Sequence, residues 1–340
     1  MTMPTPQCPN RMQVHSLHQE TPDVWTISLI SHDFYPWQPG QYALVSIANS
    51  SETLRAYTLS SSPGLSPFIT FTVRRLENGT GSRWLTEQVK PGDYLWISDA
   101  QGEFTCTHAV SDRYLMLAAG CGVTPIMSMT RWLLANRPHT DIQVIFNVRD
   151  PQHVIFASQW QALSQRYPQH LKLTLMAETL MAEQQAEAGF LSGRLTESVL
   201  LQQVPDIASR TMMTCGPQPY MKQVETFCIQ AGVPRDRIFK EQFGATDADV
   251  DDDGEQLTMT IRHSLQQLKV PVGISLLAAL ENHQLPVNAA CRAGVCGSCK
   301  TRIISGNYTT TSTMTLTAEE IENGYVLACS CQLQGDVELA

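Results

Sequence analysis

Four cysteines near the end of the chain have the side-chain type and the spacing for redox chemistry. Cys291, Cys296 and Cys299 form a C-x4-C-x2-C pattern, and 29 residues then separate Cys299 from Cys329. Four thiolates at this spacing can hold one [2Fe–2S] cluster, which moves one electron at a time. The pattern therefore predicts a step in an electron-transfer chain.

The surrounding residues favour this interpretation over two alternatives. A zinc site favours two C-x2-C pairs, and only one such pair is present. Cys331 is an alternative fourth ligand, but Cys329 in the context Leu327–Cys329 matches the spacing of plant-type ferredoxins better. Gly294 and Gly297 lie between the ligands, where the backbone must pass close to inorganic sulfide.

The composition predicts a multi-domain globular protein. Its 340 residues are enough for two or three domains, and 43% of them are hydrophobic. No apolar run is long enough to predict a membrane span, and the polar Met1–Asn10 lacks signal-peptide features and is expected to be a disordered tail. The net charge of −9 argues against nucleic acid as a partner. The remaining cysteines form no disulfide framework, which favours a reducing cytoplasm.

The elements that must position any site fall into two patterns. The first hundred residues contain short β-branched and aromatic runs bounded by Pro–Gly pairs, which is typical of an antiparallel barrel. These predicted strands are 24–30, 42–47, 68–73 and 94–97. After Arg113, buried strands alternate with helices, which predicts an α/β nucleotide-binding domain. Its predicted elements are strands 114–119, 142–146, 171–177 and 211–214 and a helix over 126–135.

An acidic run over 247–255 predicts an extended linker, because like charges repel each other. An EF-hand calcium loop is the alternative, but its bidentate glutamate and flanking helices are missing. The linker precedes a last domain, in which Gly273–Asn282 has the spacing of a helix. We expect Leu276, Leu277 and Leu280 to form the apolar side of that helix.

Arg55–Ser61 follows the pattern R-x-Y-[ST]-x-x-S and resembles the flavin-binding strand of the ferredoxin–NADP⁺ reductase-like superfamily. Arg55 can bind a flavin phosphate, and the ring of Tyr57 can lie against the isoalloxazine. The Thr58 hydroxyl can hydrogen-bond near the reactive N5 edge, and Ser61 completes the motif. An ordinary barrel strand is the alternative, and both FAD and FMN would use this phosphate site.

A second segment extends the flavin prediction. Thr72–Arg75 ends a strand, and a glycine-containing turn follows it over Gly79–Leu85. Glycines before a helix leave backbone N–H groups free for phosphate. In similar flavin reductases the strand end and the turn hold the flavin and its pyrophosphate, which implies such roles for Thr72, Val73, Arg74, Gly81 and Ser82.

Ala119–Pro125 resembles the turn that cradles the pyrophosphate of a nicotinamide cofactor in this superfamily. It follows a buried strand and opens a helix. The cysteine in this turn replaces the usual threonine and is a poorer hydrogen-bond partner. A strand–helix turn without a ligand is the alternative. The residues implied by the resemblance are Gly120, Cys121, Gly122, Thr124 and Pro125.

Cys215, Gly216 and Pro217 match the superfamily's C-G-P motif, whose cysteine lies by the nicotinamide C4 atom. This implies that Cys215 shapes the hydride-transfer site, and together with Thr58 it is the residue expected to matter most there. Asp150 follows the second strand of the α/β pattern, where an acidic side chain accepts from the ribose 2′-OH and favours NADH over NADPH.

Four further residues are weaker candidates. Glu241 and Phe243 lie where the superfamily often has an E-x-F that returns toward the flavin. Arg292 and Lys300 flank the cluster cysteines, where they would either meet an acidic partner or be solvated.

Together the motifs resemble bacterial NADH-dependent iron–sulfur flavoprotein reductases from roughly residue 11 to residue 340. The resemblance implies a multi-domain fold with FAD, NADH and a [2Fe–2S] cluster as cofactors. The predicted parts are an antiparallel β-barrel FAD domain (11–110), an α/β NAD-binding domain (111–243), an acidic linker (244–256) and an α+β, β-grasp ferredoxin-like domain (257–340).

The resemblance also implies a redox protein as the electron acceptor. Residues 119–125, 214–217, 290–300, 312–316 and 325–331 are most similar to reductases that serve hybrid-cluster protein, which acts in nitric oxide or hydroxylamine metabolism. The reductase component of an aromatic-ring or Rieske-type oxygenase is the alternative, because it would use the same cofactors. A non-enzymatic redox sensor is a third possibility.

Overall fold

The computed structural model describes residues 3–180, 189–243 and 255–340 of the chain. The chain divides into two compact units, one comprising Ser46–Ala56 with Gly244–Ala340 and the other Thr2–Val45 with Tyr57–Phe243. Most of the predicted linker, and with it the EF-hand alternative, falls on residues 244–254 and lies outside the described residues.

The first six strands form one sheet in the order β4-β3-β6-β1-β2-β5. Leu59 bridges Phe71, and Ser60 N donates to Thr70 O at 2.8 Å, so the chain after β4 meets β5 and closes the sheet. The predicted antiparallel barrel is therefore confirmed. The strands are β1 (Asn10–Thr21), β2 (Val24–Ser31), β3 (Tyr42–Ser46), β4 (Leu54–Thr58), β5 (Ile69–Arg74) and β6 (Tyr94–Ile97).

The start of the barrel differs from the sequence prediction. The expected disordered tail is wrong for the described residues before β1, because Cys8 is fully buried and its Sγ lies 3.7 Å from Leu44 O. Strand β1 itself was not predicted. Register shifts between Val14 and Ser16 and between Gln19 and Thr21 interrupt the alternation of buried side chains that would have revealed it.

The α/β part contains a parallel sheet in the order β10-β9-β8-β7-β11-β12. Its four predicted strands are present, and the short edge strands β10 and β12 were missed. The first helix begins at Val123 rather than Ile126, because Pro125 fits a first helical turn. The elements are β7 (Arg113–Ala119), α2 (Val123–Asn136), β8 (Asp141–Val148), α3 (Ala157–Arg166), β9 (Leu171–Ala177), β10 (Phe190–Ser192), α4 (Glu197–Gln203), β11 (Thr211–Cys215), α5 (Gln218–Gln230) and β12 (Ile238–Glu241).

The last part is a mixed sheet in the order β14-β13-β17-β15-β16, packed against one helix as in a β-grasp fold. Ser275 caps that helix by accepting from Ala278 N at 3.1 Å. Leu276, Leu277 and Leu280 are buried, as predicted. The elements are β13 (Gln256–Ile261), β14 (Gln266–Pro271), α6 (Leu276–Asn282), β15 (Lys300–Thr310), α7 (Ala318–Glu322), β16 (Tyr325–Leu327) and β17 (Cys331–Leu339).

Short helical segments complete the connections. Helix α1 (Thr80–Arg83) continues as a π-helical turn over Trp84–Gln88. The 3₁₀ turns are Ile47–Asn49, Gly120–Gly122, Pro151–His153, Ile207–Ser209, Arg235–Arg237 and Ala328–Ser330.

Candidate functional site

The four cysteines of the C-terminal pattern converge within the unit that holds residues 46–56 and 244–340. Cys299 Sγ lies 3.3 Å from Cys329 Sγ, and the thiol of Cys291 lies close enough to those of Cys296 and Cys329 to change how they ionise. Two backbone donors point at this group: Gly294 N reaches Cys329 Sγ at 3.1 Å, and Ala293 N reaches Cys291 Sγ at 3.4 Å. The thiols and the N–H groups around them therefore form one contiguous site.

Hydrogen bonds among the thiols change how readily each one ionises. The pKa of Cys291 is lowered by its bond to Cys296, and the pKa of Cys299 is lowered by its bond to Cys329. Their partners change in the other direction, since the bond to Cys291 raises the pKa of both Cys296 and Cys329. The four thiols are therefore close enough for the ionisation of one to change that of its neighbours.

The turn that brings these sulfurs together depends on Gly294. Its φ of +72° is in the left-handed region, and a Cβ there would lie 2.8 Å from Ser312 Cβ and 3.0 Å from Ser330 Cβ. A larger residue would be strained and would also clash. The backbone can therefore approach the sulfurs only with glycine at this position.

Cys331 lies in the same apolar core as Cys299 and Cys329, but among the described residues its thiol makes no contact with the other sulfurs that changes its ionisation. It is fully buried at the start of β17, opposite Thr310, in the apolar core of the β-grasp sheet. Burial raises the pKa of its thiol to about 12. The geometry therefore favours Cys329 as the fourth ligand, and a set of four sulfurs with backbone donors fits an iron–sulfur cluster.

Arg55 lies against the loop that contains these cysteines. Its Nη1 donates to Ala290 O at 2.8 Å and to Leu54 O at 2.7 Å. Leu54 N donates to the same Ala290 carbonyl at 3.1 Å. Ala290 directly precedes Cys291 and begins the segment 290–300, which we call the cluster loop. The strand predicted to bind the flavin phosphate is therefore hydrogen-bonded to the first residue of the cluster loop.

Tyr57 and Thr58, the next residues of the flavin motif, have features of a ligand site. The Tyr57 ring stacks on Phe71, with 5.4 Å between centroids and an interplanar angle of 19°. The Thr58 side chain is buried, and its Oγ1 has no hydrogen-bond partner among the described residues. Because buried hydroxyls are almost always satisfied, this atom fits a hydrogen bond to a bound group such as FAD.

The side chains of Ser61, Thr72 and Val73 stabilise the barrel itself. Ser61 Oγ accepts from Thr70 N at 3.0 Å, and Thr72 Oγ1 lies 2.9 Å from Thr26 Oγ1. Val73 is fully buried. The hydroxyls of Ser61 and Thr72 are therefore engaged within the protein, and a flavin contact from Thr72 or Val73 would come from backbone groups.

The side chain of Ser82 forms hydrogen bonds within the turn that was predicted to bind the pyrophosphate. Ser82 Oγ accepts from Leu76 N at 3.1 Å and donates to Gly79 O at 3.2 Å. Gly81 and Ser82 are both buried in α1. The hydroxyl thus fixes the turn that presents the backbone of α1.

The two nicotinamide motifs, which are far apart in sequence, lie in contact. A Cβ on Gly122 would be 2.0 Å from Cys215 O and 2.7 Å from Gly216 N, so only glycine allows these backbones to approach. Thr124 Oγ1 donates to Cys121 O at 2.9 Å and fixes the turn before Pro125. The ends of β7 and β11 therefore form one cradle, as expected for neighbouring parallel strands.

Arg74 lies at the edge of this cradle. A Cβ on Gly120 would be 3.5 Å from both Nη atoms of Arg74, and Arg74 Nε forms an ion pair of 3.2 Å with Asp23. Its positive charge opposes the effect of burial, which raises the pKa of Cys121. The guanidinium is thus placed where it can bind a phosphate.

Cys215 lies opposite Glu241 in the register of β11 and β12. Burial raises the pKa of the Cys215 thiol well above its usual value, and the charge of Glu241 raises it further. Burial also raises the pKa of Glu241 to about 8, and its Oε2 has no hydrogen-bond partner among the described residues. Cys215 is therefore a neutral thiol, suited to shaping a site and unsuited to nucleophilic attack.

The remaining candidates are Asp150, Phe243, Arg292 and Lys300. Asp150 Oδ1 accepts from His153 Nδ1 at 2.8 Å and from Gln152 N at 2.9 Å, a pairing that the sequence prediction missed. The Asp150 pKa is lowered by these bonds, although desolvation opposes them. Phe243 is partly exposed. Arg292 and Lys300 form ion pairs with Glu281 and Glu320, respectively, so neither is simply solvated.

Comparisons with known proteins agree with this arrangement. Three family models match in chain order: an oxidoreductase FAD-binding domain over residues 29–106, an oxidoreductase NAD-binding domain over 116–226 and a 2Fe-2S iron-sulfur cluster binding domain over 259–334. NADH oxidoreductase HCR of Escherichia coli (strain K12) is 59% identical over 340 residues, with 100% of both chains covered. The chain belongs to the ferredoxin–NADP⁺ reductase-like NADH oxidoreductases that carry a C-terminal ferredoxin domain.

Two further relatives place this reductase among electron-transfer proteins. The glycine betaine monooxygenase reductase subunit of Chromohalobacter salexigens is 31% identical over 331 residues, covering 92% of this chain and 89% of its own. The solved structure of phthalate dioxygenase reductase superposes with a TM-score of 0.63 at 22% identity, covering 97% of both chains, which supports the fold.

The reductase therefore binds FAD, NADH and a [2Fe–2S] cluster and transfers electrons from NADH. The predicted cofactors and enzyme class are confirmed. Such a reductase needs a redox acceptor to receive its electrons. Across the described ranges, no helix combines the length and the apolar character that crossing a membrane requires.

Proposed function

We propose that this reductase passes the electrons of NADH to a hybrid-cluster protein and so serves nitric oxide or hydroxylamine metabolism. The observation that carries this proposal is the full-length identity of 59% with NADH oxidoreductase HCR. The resemblance of residues 290–300, 312–316 and 325–331 to reductases of hybrid-cluster protein supports it, because these segments surround the converging thiols.

We infer that Cys291, Cys296, Cys299 and Cys329 hold the cluster. The convergence of their sulfurs and the donors Gly294 N and Ala293 N support this assignment. When bound, FAD accepts the hydride of NADH, and the [2Fe–2S] cluster carries the electrons onward singly. Hydrogen bonds from Gly294 N and Ala293 N would stabilise negative charge on the ligand sulfurs and so would help to set the potential of a bound cluster.

The hydride-transfer site is proposed to lie at Thr58 and Cys215. The unpartnered Oγ1 of Thr58 supports a hydrogen bond to the flavin. The fully buried, neutral thiol of Cys215 supports a role in excluding water beside the nicotinamide C4 atom. No side-chain acid or base is needed for this step, because a hydride moves as one hydrogen nucleus with two electrons and no separate proton is transferred.

The remaining contacts are assigned by motif and position. Residues proposed to bind the flavin are Arg55, Tyr57, Thr58, Ser61, Thr72, Val73, Arg74, Gly81 and Ser82. Residues proposed to bind NADH are Gly120, Cys121, Gly122, Thr124, Pro125, Cys215, Gly216 and Pro217. The stacked ring of Tyr57 and the contact of Gly122 with Cys215 support the two sets, respectively.

The predicted domain boundaries and location are part of this proposal. The three family matches lie inside the proposed domains 11–110, 111–243 and 257–340. All ten cysteines fall within the described residues and are free thiols, which supports a reducing cytoplasm as the location.

The second candidate function is the reductase component of an oxygenase. The 31% identity with a glycine betaine monooxygenase reductase subunit favours it. Both functions use the same cofactors, so the acceptor alone distinguishes them.

Anaerobic stopped-flow mixing tests the choice of acceptor. The reductase is first reduced with NADH and then mixed with hybrid-cluster protein or with the terminal component of a Rieske-type oxygenase. We expect rapid reoxidation of the reductase by hybrid-cluster protein and slow reoxidation by the oxygenase. The opposite order of rates would overturn the proposed acceptor.

A further inference from the structure

The first residue of the cluster loop is hydrogen-bonded to strand β4, whereas the other side of the loop is covered by a short segment that follows β15. The engaged end is Ala290, whose carbonyl accepts from Leu54 N and from Arg55. An acceptor protein cannot reach that carbonyl without displacing these bonds. Electron exit is therefore to be sought on the other side of the loop, from Gly294 to Lys300.

Residues 311–322, which we call the cap segment, cover that side. Ser312 Oγ donates to Gly294 O at 2.6 Å, and a Cβ on Gly297 would be 2.9 Å from Thr315 Oγ1. Lys300 Nζ pairs with Glu320 of α7. Cys296, next to Gly297, is the only partly exposed member of the four proposed ligands, all of which are described. The cap segment thus lies over the accessible edge of the cluster site.

Met314 and Ile321 are exposed large apolar side chains of the cap segment, and Met314 is the one beside the residues that contact the cluster loop. It lies between Ser312 and Thr315, which both contact the glycines of the cluster loop, and it is 55% exposed. A methionine is flexible and polarisable and adapts well to a partner surface. Exposed apolar side chains in a polar surround are typical centres of protein interfaces.

The cap segment itself is negatively charged, and Arg302 adds one cation at its far end, where Arg302 Nε donates to Asn323 O at 2.9 Å. Arg292 and Lys300, the cations beside the ligands, are already paired with Glu281 and Glu320. The cap segment contains three glutamates and no lysine or arginine, so pairing with Lys300 leaves a charge of −2. Glu319 and Glu322 are exposed and form no ion pair within the described part of the chain. An acidic partner would be repelled here.

We propose that the electron acceptor docks on the cap segment, with Met314 in an apolar recess and basic acceptor side chains facing Glu319 and Glu322. This inference rests on the proposed function, because it assumes that electrons leave from the cluster to another protein. Small interfaces with an apolar centre and a charged rim suit transient electron transfer, since the rim charges raise the association rate.

The test uses the complete holoenzyme with two acceptors, hybrid-cluster protein and cytochrome c, which is a small basic haem protein. The informative variants are M314A and the double variant E319K/E322K. The matched control is L265A, because Leu265 is 82% exposed in the same unit but lies in the β13–β14 turn. The EPR signal of the reduced cluster and NADH-to-ferricyanide turnover show that each variant is intact.

We expect M314A to lower the second-order rate of acceptor reduction about tenfold, with ferricyanide turnover and the cluster signal unchanged. The charge-reversed variant should lose a similar factor at low salt, and added salt should reduce its deficit. L265A should match the wild type.

The proposal is overturned if both variants reduce the acceptors at the wild-type rate, or if K300Q alone causes the larger loss. It is also overturned if Met314 serves a second copy of this chain, which sedimentation would show as a dimer lost in M314A. Failure of the wild type to reduce hybrid-cluster protein would instead contradict the proposed function. In that case the rates with cytochrome c still decide whether the acceptor docks on the cap segment.

Discussion

Arg55 donates a hydrogen bond of 2.8 Å to Ala290 O, the carbonyl immediately before Cys291. The two residues are 235 positions apart in the sequence. One is the arginine of the flavin motif and the other begins the cluster loop. A single guanidinium is therefore in a position to connect the binding of flavin phosphate with the placement of the first cluster ligand.

Substitution of Arg55 should affect both cofactors. Hydrogen bonds from charged groups contribute about 1.5–3 kcal/mol, so R55A should weaken FAD binding by about tenfold or more and speed the loss of iron from the cluster. Flavin titration and the decay of the iron–sulfur absorbance measure the two effects. R302A is the matched control, since Arg302 also donates to a backbone carbonyl, that of Asn323 at 2.9 Å. A variant with weakened FAD binding and unchanged cluster stability would separate Arg55 from the loop.

The identity of the fourth ligand is tested by a pair of variants. C329S should lose the [2Fe–2S] absorbance, because Cys329 Sγ lies 3.3 Å from Cys299 Sγ and accepts a hydrogen bond from Gly294 N. C331A should keep it and lose only about 1 kcal/mol of stability from a small cavity. Iron and sulfide content per FAD is the measurement. A cluster retained in C329S and lost in C331A would reverse the assignment.

The cradle at the nicotinamide site depends on the absence of a side chain at position 122. G122A would place a Cβ 2.0 Å from Cys215 O, and because the neighbour is backbone the strand end must move. We expect a rise in KM for NADH of about tenfold or more with normal FAD content. G335A is the control, because its nearest neighbour is the Asn307 side chain at 3.2 Å. Unchanged KM in G122A would mean that NADH binds elsewhere.

Glu241 should make stability depend on pH. Burial raises its pKa in the folded protein to about 8, above the value of 4.5 expected when unfolded. Folding therefore costs more as pH rises from about 5 to 8, since the unfolded chain gives up the proton and the folded chain holds it. E241Q removes this penalty.

The melting temperature of E241Q should thus exceed that of the wild type at pH 8.5, and the difference should shrink at pH 5. E225Q is the control, because Glu225 forms a surface ion pair with Lys240 instead. A difference between E241Q and the wild type that does not change with pH would mean that the Glu241 carboxyl is ionised in the folded protein.

The sequence predicted most of the elements whose signal is local. The buried strand β7 was predicted within one residue of its observed bounds because it is a continuous apolar run, and β9 was predicted at its observed bounds, 171–177. Strand β1 was missed because two bulges break its alternation. The edge strands β10 and β12 are too short to carry a pattern.

In the candidate site, too, local motifs were predictable from the sequence and contacts between distant segments were not. The cysteine and glycine motifs were evident from spacing, since each needs only a few residues in fixed order. The contact of Arg55 with Ala290 and the pairing of Cys215 with Glu241 were not predictable, because they depend on which distant strands become neighbours. The ion pairs of Arg292 and Lys300 also depend on tertiary structure, because their partners Glu281 and Glu320 lie 11 and 20 positions away.

The central claim is that electrons from NADH leave this reductase through the cluster held by the four C-terminal cysteines. The most direct test compares C296S with the wild type by rapid mixing with NADH, followed by EPR and by acceptor reduction. We predict that C296S bleaches its flavin and reduces ferricyanide as the wild type does, yet shows no [2Fe–2S] signal and no transfer to hybrid-cluster protein. Transfer to that acceptor at the wild-type rate by a variant without the cluster would contradict the account.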